Sequence, residues 1–158
     1  MISQRLARLA AAATAGAAGL CLTVGASAAS GATVTSGDFT TLAIGVTRGY
    51  DISGHAHMVR TAAGSTVVAI HAQGLHPDTA YLSHVHQAPC SDNMGGGHYR
   101  FDPTGPAAPP NEIWLNFVSD DAGVGNQNAT VDAVAGPTAR SVVIHDSDGK
   151  RIACADLG

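Results

Sequence analysis

The chain has 158 residues, with eight basic and twelve acidic side chains and a net charge of −4 when histidine is counted as neutral. This length is typical of one domain. The negative balance excludes a nucleic-acid partner, because neutralising phosphates needs a basic face.

Residues 1–29 have the organisation of a secretory signal peptide. Arg5 and Arg8 precede a run rich in Ala, Gly, Leu and Val, and small residues follow at positions 26–29, where cleavage is expected. A retained membrane anchor is the alternative, but the apolar run over residues 9–24 is short for a span, which needs roughly 20 residues. We predict an exported protein (secreted, periplasmic or associated with the cell envelope) without stable membrane insertion after cleavage.

Cleavage would leave six basic residues against twelve acidic ones, a net charge of about −6, and only two cysteines, Cys90 and Cys154. An even pair of cysteines in an oxidising compartment predicts a disulfide, with a free reactive pair as the alternative. A lipoprotein is a further alternative, in which Cys21 of the leader would be the lipidated residue. Leu20, in front of it, is larger than the residue expected at such a site.

Residues 30–38 are small and polar and predict a flexible linker, followed by one domain over residues 39–158. No stretch of that domain has a long helical period of apolar residues. Turn-forming residues separate four runs that are rich in β-branched residues, at 40–46, 66–72, 113–118 and 141–144. This pattern predicts an all-β fold, a Greek-key sandwich or barrel of about eight strands.

Two connections between the strands are informative. Asp148-Gly149 lies between VVIH and RIAC and predicts a tight hairpin, which would put His145 close to Arg151. Residues 87–111 have no strand pattern and contain three consecutive glycines and five prolines. A loop of this length is usually functional or disordered. Because it carries a histidine and a cysteine, we predict that it is part of a metal site.

Four histidines form the candidate metal site. His84 and His86 flank Val85, so on a strand both imidazoles would point to one face. His98 follows the three glycines, and His145 ends an apolar run where a hydrogen-bonded core histidine is the alternative. Imidazoles without a thiolate are typical of sites for Cu(II), Zn(II) or Ni(II), and a tetragonal all-nitrogen set favours copper.

These motifs, in this order, resemble the copper,zinc superoxide dismutase family: HVH, a Cys four residues later, GGGHY, VVIH and RIAC, over residues 66–154. The resemblance implies a β-sandwich in which His84, His86 and His145 bind copper. His98 matches the histidine that bridges copper and zinc in the family. Cys90 and Cys154 match its intrasubunit disulfide, and Arg151 matches the arginine that guides superoxide to the copper.

Two departures from that family resemble its copper-only branch. No histidine lies between His98 and His145, so the family's zinc ligands are incomplete. Only residues 146–150 separate the last copper ligand from Arg151, where the family has a long charged loop. The resemblance therefore implies one copper per chain and no zinc.

Without zinc, the second ring nitrogen of His98 needs another partner. Glu112 and Asp102 are the candidates, with Glu112 first because it begins the strand-like run NEIW. A solvated carboxylate at the start of a strand is the alternative.

The resemblance implies an extracytoplasmic superoxide dismutase that forms dioxygen and hydrogen peroxide by cycling between Cu(II) and Cu(I), with Arg151 and His98 as catalytic residues. An exported copper-binding or buffering protein with little dismutase activity is the alternative. A second HxH pair, His55 and His57, is either an exposed copper-capture site or a pair of ordinary surface histidines. No pattern in the sequence indicates an oligomeric state.

Overall fold

The computed structural model describes residues 31–158, and the predicted leader, including Cys21, lies outside this part of the chain. Eight strands occur in the described part: β1 (Thr33–Thr41), β2 (Ser53–Arg60), β3 (Thr66–Gln73), β4 (Ala80–His86), β5 (Phe117–Val118), β6 (Gly125–Val131), β7 (Ser141–His145) and β8 (Arg151–Asp156). A short helix, α1 (Ala43–Thr47), follows β1, and a single 3-10 turn covers Asn93–Gly95.

The strands pair antiparallel in the order β5-β4-β7-β8-β1-β2-β3-β6 and form a nearly closed barrel. The neighbours β4 and β7, β8 and β1, and β3 and β6 are not consecutive in the chain, so long connections cross between the two halves of the sheet as in a Greek key. The all-β prediction is confirmed.

Burial along β2 and β3 alternates with the period of two that a strand imposes. On β3, Val68 and Ile70 point inward, and Ala56 and Met58 do so on β2. On β7 all five residues are buried, because one face packs on the core and the other is covered by the loop over residues 87–111. Strand β7 is therefore shielded from bulk solvent on both of its faces.

The predicted linker is wrong from Thr33 onward. Strand β1 begins there, pairs with β2 along residues 33–38 and then pairs with β8 from Phe39, whose side chain is in the core. The small polar residues of this segment are compatible with a strand because most of its side chains face solvent. The sequence pattern missed the strand because it has few apolar residues that alternate.

The predicted strand over residues 40–46 is also wrong in its second half, where the chain turns into α1. Gly45 lies directly against β8, and a Cβ at this position would come within 2.4 Å of the Ile152 carbonyl oxygen. The amide of Leu42 donates to the same oxygen at 2.9 Å. Close packing on β8 thus overrides the β propensity of the residues.

Of the predicted strand over residues 113–118, only Phe117–Val118 is regular. The preceding residues follow β4 through single contacts, with Leu115 N donating to Ser83 O at 2.7 Å and Val85 N donating to Ile113 O at 3.1 Å. The strands predicted over residues 66–72 and 141–144 are confirmed as β3 and β7. Neither β2 nor β6 was predicted, because histidine, glycine and amide side chains replace apolar alternation there.

The hairpin and the disulfide are confirmed. His145 and Arg151 are paired across the turn between β7 and β8, and Cys90 is bonded to Cys154 with their Cα atoms 5.8 Å apart. The disulfide joins the loop over residues 87–111 to β8. Because disulfides persist in oxidising compartments, it supports an extracytoplasmic environment. Within residues 31–158 no helix is long and apolar enough to span a bilayer.

Candidate metal centre

The four predicted histidines converge at one place in the barrel wall. Each offers a ligand nitrogen, and these nitrogens all lie within 4.8 Å of one another. His84, His86 and His145 are buried, whereas the side chain of His98 is 32% exposed. The cluster can therefore hold a metal ion, with His98 on the solvent side.

The strand pairing of β4 with β7 explains how three of these residues meet. The cross-strand partner of His145 is Leu82, which lies two residues before His84 on the same face of β4. Directly paired residues share a face. The ligand of β7 therefore lies on the same side of the sheet as His84 and His86.

The fourth histidine, His98, is brought to the cluster by the loop, which forms an isolated bridge between His86 and His98. Gly95 allows the loop to lie flat on the strands, because a Cβ there would be 2.9 Å from both Ser141 Oγ and Val143 Cγ2. Its φ of 95° also lies in the left-handed region that favours glycine. The glycine run of the sequence thus serves to position His98.

Hydrogen bonds orient three of the imidazoles through their Nδ1 atoms. The Nδ1 of His86 is 3.2 Å from Gly96 O, that of His145 is 3.2 Å from Gly149 O, and that of His98 is 2.9 Å from Glu112 Oε2. Each partner is an acceptor, so Nδ1 carries the proton and Nε2 keeps its lone pair. The Nε2 atoms of His86 and His145 face each other at 3.3 Å. A cation between them would remove the repulsion of two lone pairs.

His84 is oriented differently. Its Nδ1 is buried and has no hydrogen-bond partner among the described residues. A buried polar atom without a partner costs about 1–3 kcal/mol, and buried polar groups are rarely left in this state. Coordination of a cation by this nitrogen would offset the cost, so the four histidines fit a metal ion.

The buried imidazoles are neutral at physiological pH. Burial lowers the pKa of His84 and of His86 to about 3, and repulsion from His98 and His145 adds to the effect. Burial likewise lowers the pKa of His145. A metal ligand must be deprotonated. These residues therefore offer lone pairs without first releasing protons.

Of the two carboxylates considered for His98, the structure places Glu112 against it. Glu112 is only 1% exposed and accepts three hydrogen bonds, from His98 Nδ1 at 2.9 Å, from Trp114 Nε1 at 2.8 Å and from Arg100 Nε at 3.0 Å. Burial by itself would raise the pKa of Glu112, but these donors outweigh it and the pKa is lowered. An ionised carboxylate is thus held at the second nitrogen of His98.

Asp102 has a different place in the structure. It is exposed, and its Oδ1 accepts from the amide and the hydroxyl of Thr104 at 2.9 and 2.7 Å. These hydrogen bonds lower the pKa of Asp102 and stabilise a turn of the loop. The structure does not bring Asp102 to His98.

Sequence reasoning missed Arg100 and Trp114, the two other donors to Glu112. A signal was present, since Arg100 is two residues from His98 and Trp114 is two residues from Glu112. In extended chain this spacing puts both members of a pair on one face. What the sequence could not indicate is that the two segments lie side by side.

Arg151 lies beside the cluster, at the start of β8. Its guanidinium donates to Asn93 O at 2.6 Å and reaches Met94 O at 3.4 Å. Its positive charge is near enough to His86 and His145 to contribute to their lowered pKa values. A fixed positive charge therefore stands at the edge of the metal centre.

The turn after His145 is held by a second unpredicted arginine, Arg48, at the C-terminal end of α1. Its guanidinium forms ion pairs with the buried Asp146 and, at 3.0 Å, with the exposed Asp148. The other oxygen of Asp146 accepts from the amide of Lys150 at 2.9 Å. These contacts tie the short hairpin to α1.

No protein-family model matches the chain, and no curated protein matches it. Its function is therefore inferred from the residues themselves and their geometry.

Proposed function

We propose that the protein is an exported superoxide dismutase that uses one copper ion per chain and no zinc. The observation that carries this proposal is the pairing of a four-imidazole cluster with a buried carboxylate on the second nitrogen of His98. The ordered motifs that resemble the copper-only branch of the copper,zinc superoxide dismutase family support it.

Copper is the metal that suits these donors best. His84, His86, His98 and His145 would hold it, and a set of nitrogen donors without thiolate or carboxylate favours copper over magnesium, calcium or iron–sulfur chemistry. Copper would supply reversible one-electron transfer between Cu(II) and Cu(I), which the redox-inert zinc ion cannot supply.

Glu112 takes the place that a second metal ion would have beside His98. By accepting the hydrogen bond of Nδ1–H it fixes the tautomer and the ring orientation, so that Nε2 is free for the copper. Arg100 and Trp114 hold the carboxylate in place, and the charge of Arg100 neutralises part of its charge. His98 stays oriented although the loop that carries it has no regular strand.

The substrate, superoxide, is an anion, and the protein as a whole is negatively charged. Arg151 would provide the local positive potential that draws the anion to the centre, an effect that changes association rates by about 10- to 1000-fold. The hairpin after His145 is short, so it leaves this approach open. His98 has the most exposed of the four rings, so we expect it to pass a proton from solvent to the product through Nε2, at a stage when this nitrogen would not be bound to copper.

The deciding experiment is the rate of superoxide decay in the presence of copper-loaded protein, measured by pulse radiolysis. We expect a rate well above that of the same copper concentration without protein. The variant His84→Asn/His86→Asn, treated in the same way, should give only the background rate. Decay no faster than the free-copper control would exclude the dismutase.

An exported copper-binding or buffering protein is the second candidate. One nitrogen of the Arg151 guanidinium already donates to backbone carbonyls, which favours a site that binds copper but captures anions slowly. This candidate predicts one tightly bound copper and no acceleration of superoxide decay. The same measurement therefore separates the two functions.

A further inference from the structure

A second group of histidines lies on the outer face of the sheet, on strands that contribute nothing to the metal centre. His55 and His57 are two residues apart on β2, and His71 is the direct cross-strand partner of His55 on β3. The ring centroids of His55 and His57 are 5.1 Å apart, and those of His55 and His71 are 5.5 Å apart. Three imidazoles thus form a corner on the solvent-facing surface.

The ring-to-ring distances in this outer group are similar to those in the metal centre. The six ring-to-ring distances among His84, His86, His98 and His145 range from 4.2 to 6.4 Å. Both measured distances of the outer group fall inside that range. Because His55 is exposed and His57 and His71 are only half-buried, changes between side-chain rotamers can direct their nitrogens to one ion.

The neighbours of the outer group are suited to a metal ion as well. The Nδ1 atom of His71 is 2.8 Å from Asn126 Oδ1, its cross-strand partner on β6. Because the amide oxygen accepts, Nδ1 carries the proton and Nε2 keeps its lone pair, as is usual for a ligating histidine. Asp38 is the cross-strand partner of His55 on β1, so it adds an exposed carboxylate to the same row.

Such a group has no evident role in the stability of the sheet. His55 is exposed and its neighbours are half-buried, so little apolar surface is covered. A cation shared by neutral imidazoles turns their proximity into a favourable contact.

We propose that His55, His57 and His71, with Asp38 as a further ligand, form a second, exposed site for a divalent late transition metal. Cu(II) is preferred over Zn(II) at nitrogen donors of this kind. The ligands lie on rigid strands but are open to solvent, so this site exchanges its ion faster than the buried centre does. The proposal does not depend on the function of the buried centre.

The test is a titration of the metal-free, disulfide-bonded protein with Cu(II), followed by calorimetry and by electron paramagnetic resonance. We expect two equivalents to bind, with two distinct nitrogen-coordinated signals. The triple variant His55→Asn/His57→Asn/His71→Asn should bind one equivalent and keep the signal of the buried centre. His76→Asn, which removes an exposed histidine that stacks on Tyr50 elsewhere, should still bind two.

Two further measurements separate the sites and guard against misfolding. The variant His84→Asn/His86→Asn should lose the equivalent of Cu(II) that binds at the buried centre but keep the one that binds at the outer site. In the native protein, a second equivalent of Zn(II) should shift the ring protons of His55, His57 and His71 in NMR spectra and leave those of His76 unchanged. Binding of the same number of equivalents by the native protein and by the triple variant would overturn the proposal, as would unshifted His55, His57 and His71 signals.

Discussion

The Nδ1 atom of His98 and the Oε2 atom of Glu112 lie 2.9 Å apart, and the carboxylate is almost completely buried. Burial of a carboxylate is costly unless it is paired and hydrogen-bonded, and Glu112 meets this condition through three donors. Two of these donors, Arg100 and Trp114, are not among the four histidines that would hold copper. The carboxylate and its donors therefore form a second layer of structure behind the metal centre.

Glu112→Gln should weaken copper binding. The amide is similar in size but carries no charge, so it holds the Nδ1 proton of His98 less strongly. Loss of such a partner typically lowers metal affinity by about 10- to 100-fold. Competition with a chelator gives the copper affinity. The electron paramagnetic resonance spectrum of bound copper should also change, because His98 is less well oriented.

Asp102→Asn is the matched control for Glu112→Gln, since Asp102 lies on the same loop but only stabilises a turn. It should leave copper affinity and the spectrum unchanged. Equal effects of the two substitutions would mean that Glu112 acts through general loop stability.

Arg151→Glu should slow superoxide decay by at least about ten-fold, because the substitution reverses the charge that faces the approaching anion. Copper content should not change. Pulse radiolysis at several ionic strengths should show that the native rate falls with added salt and that the variant rate does not. Lys150→Glu, one residue earlier in the exposed turn, should have a much smaller effect. An equal loss of copper and of activity in Arg151→Glu would make this residue structural.

The metal-free protein should lose stability as the pH falls from about 6.5 toward 3. Folding lowers the pKa of His84 and of His86 from 6.5 to about 3, so in this window the unfolded chain binds more protons than the folded one. Their contribution is complete above pH 6.5 and is lost as protons enter. Urea unfolding at several pH values measures the slope. His86→Gln should reduce it, and an unchanged slope would contradict the assignment.

Cys90→Ser/Cys154→Ser should lower the free energy of unfolding by about 2–4 kcal/mol, the usual effect of losing a native disulfide. The bond joins residues 64 positions apart, so it constrains a large part of the unfolded chain. Chemical unfolding of native and variant protein under identical conditions gives the difference. A loss well below 1 kcal/mol would indicate that the hydrogen bonds of the loop already hold it in place.

The sequence was most informative where chemistry and local geometry coincide. Two histidines separated by one residue on a strand point to the same face, and an Asp-Gly turn places its two flanking strands side by side. The first expectation is confirmed for His84 and His86, and the second for the turn after His145. The meeting of β4 with β7 was not visible in local patterns, because it depends on a crossover of more than 50 residues. The resemblance to a known family supplied that information instead.

The elements that were missed have physical reasons in common. Strand β1 is defined by its pairing with β2 and β8, and helix α1 by its packing on β8, where Gly45 approaches Ile152. Neither is defined by its own periodicity. Arg48 and Arg100 act through carboxylates of other segments, and Trp114 donates to Glu112, whose role beside His98 depends on two segments that lie side by side. Tertiary packing therefore determines these elements and contacts, which the local propensity of the residues does not specify.

The disulfide has a consequence for the order in which the protein is completed. Cys90 lies near the start of the loop over residues 87–111, which carries His98. Its partner Cys154 is three residues after Arg151. The disulfide thus joins the loop that carries His98 to the strand that carries Arg151. In a newly made, reduced chain these two segments are not linked. We therefore expect the four histidines to reach their final arrangement only after the two thiols have been oxidised.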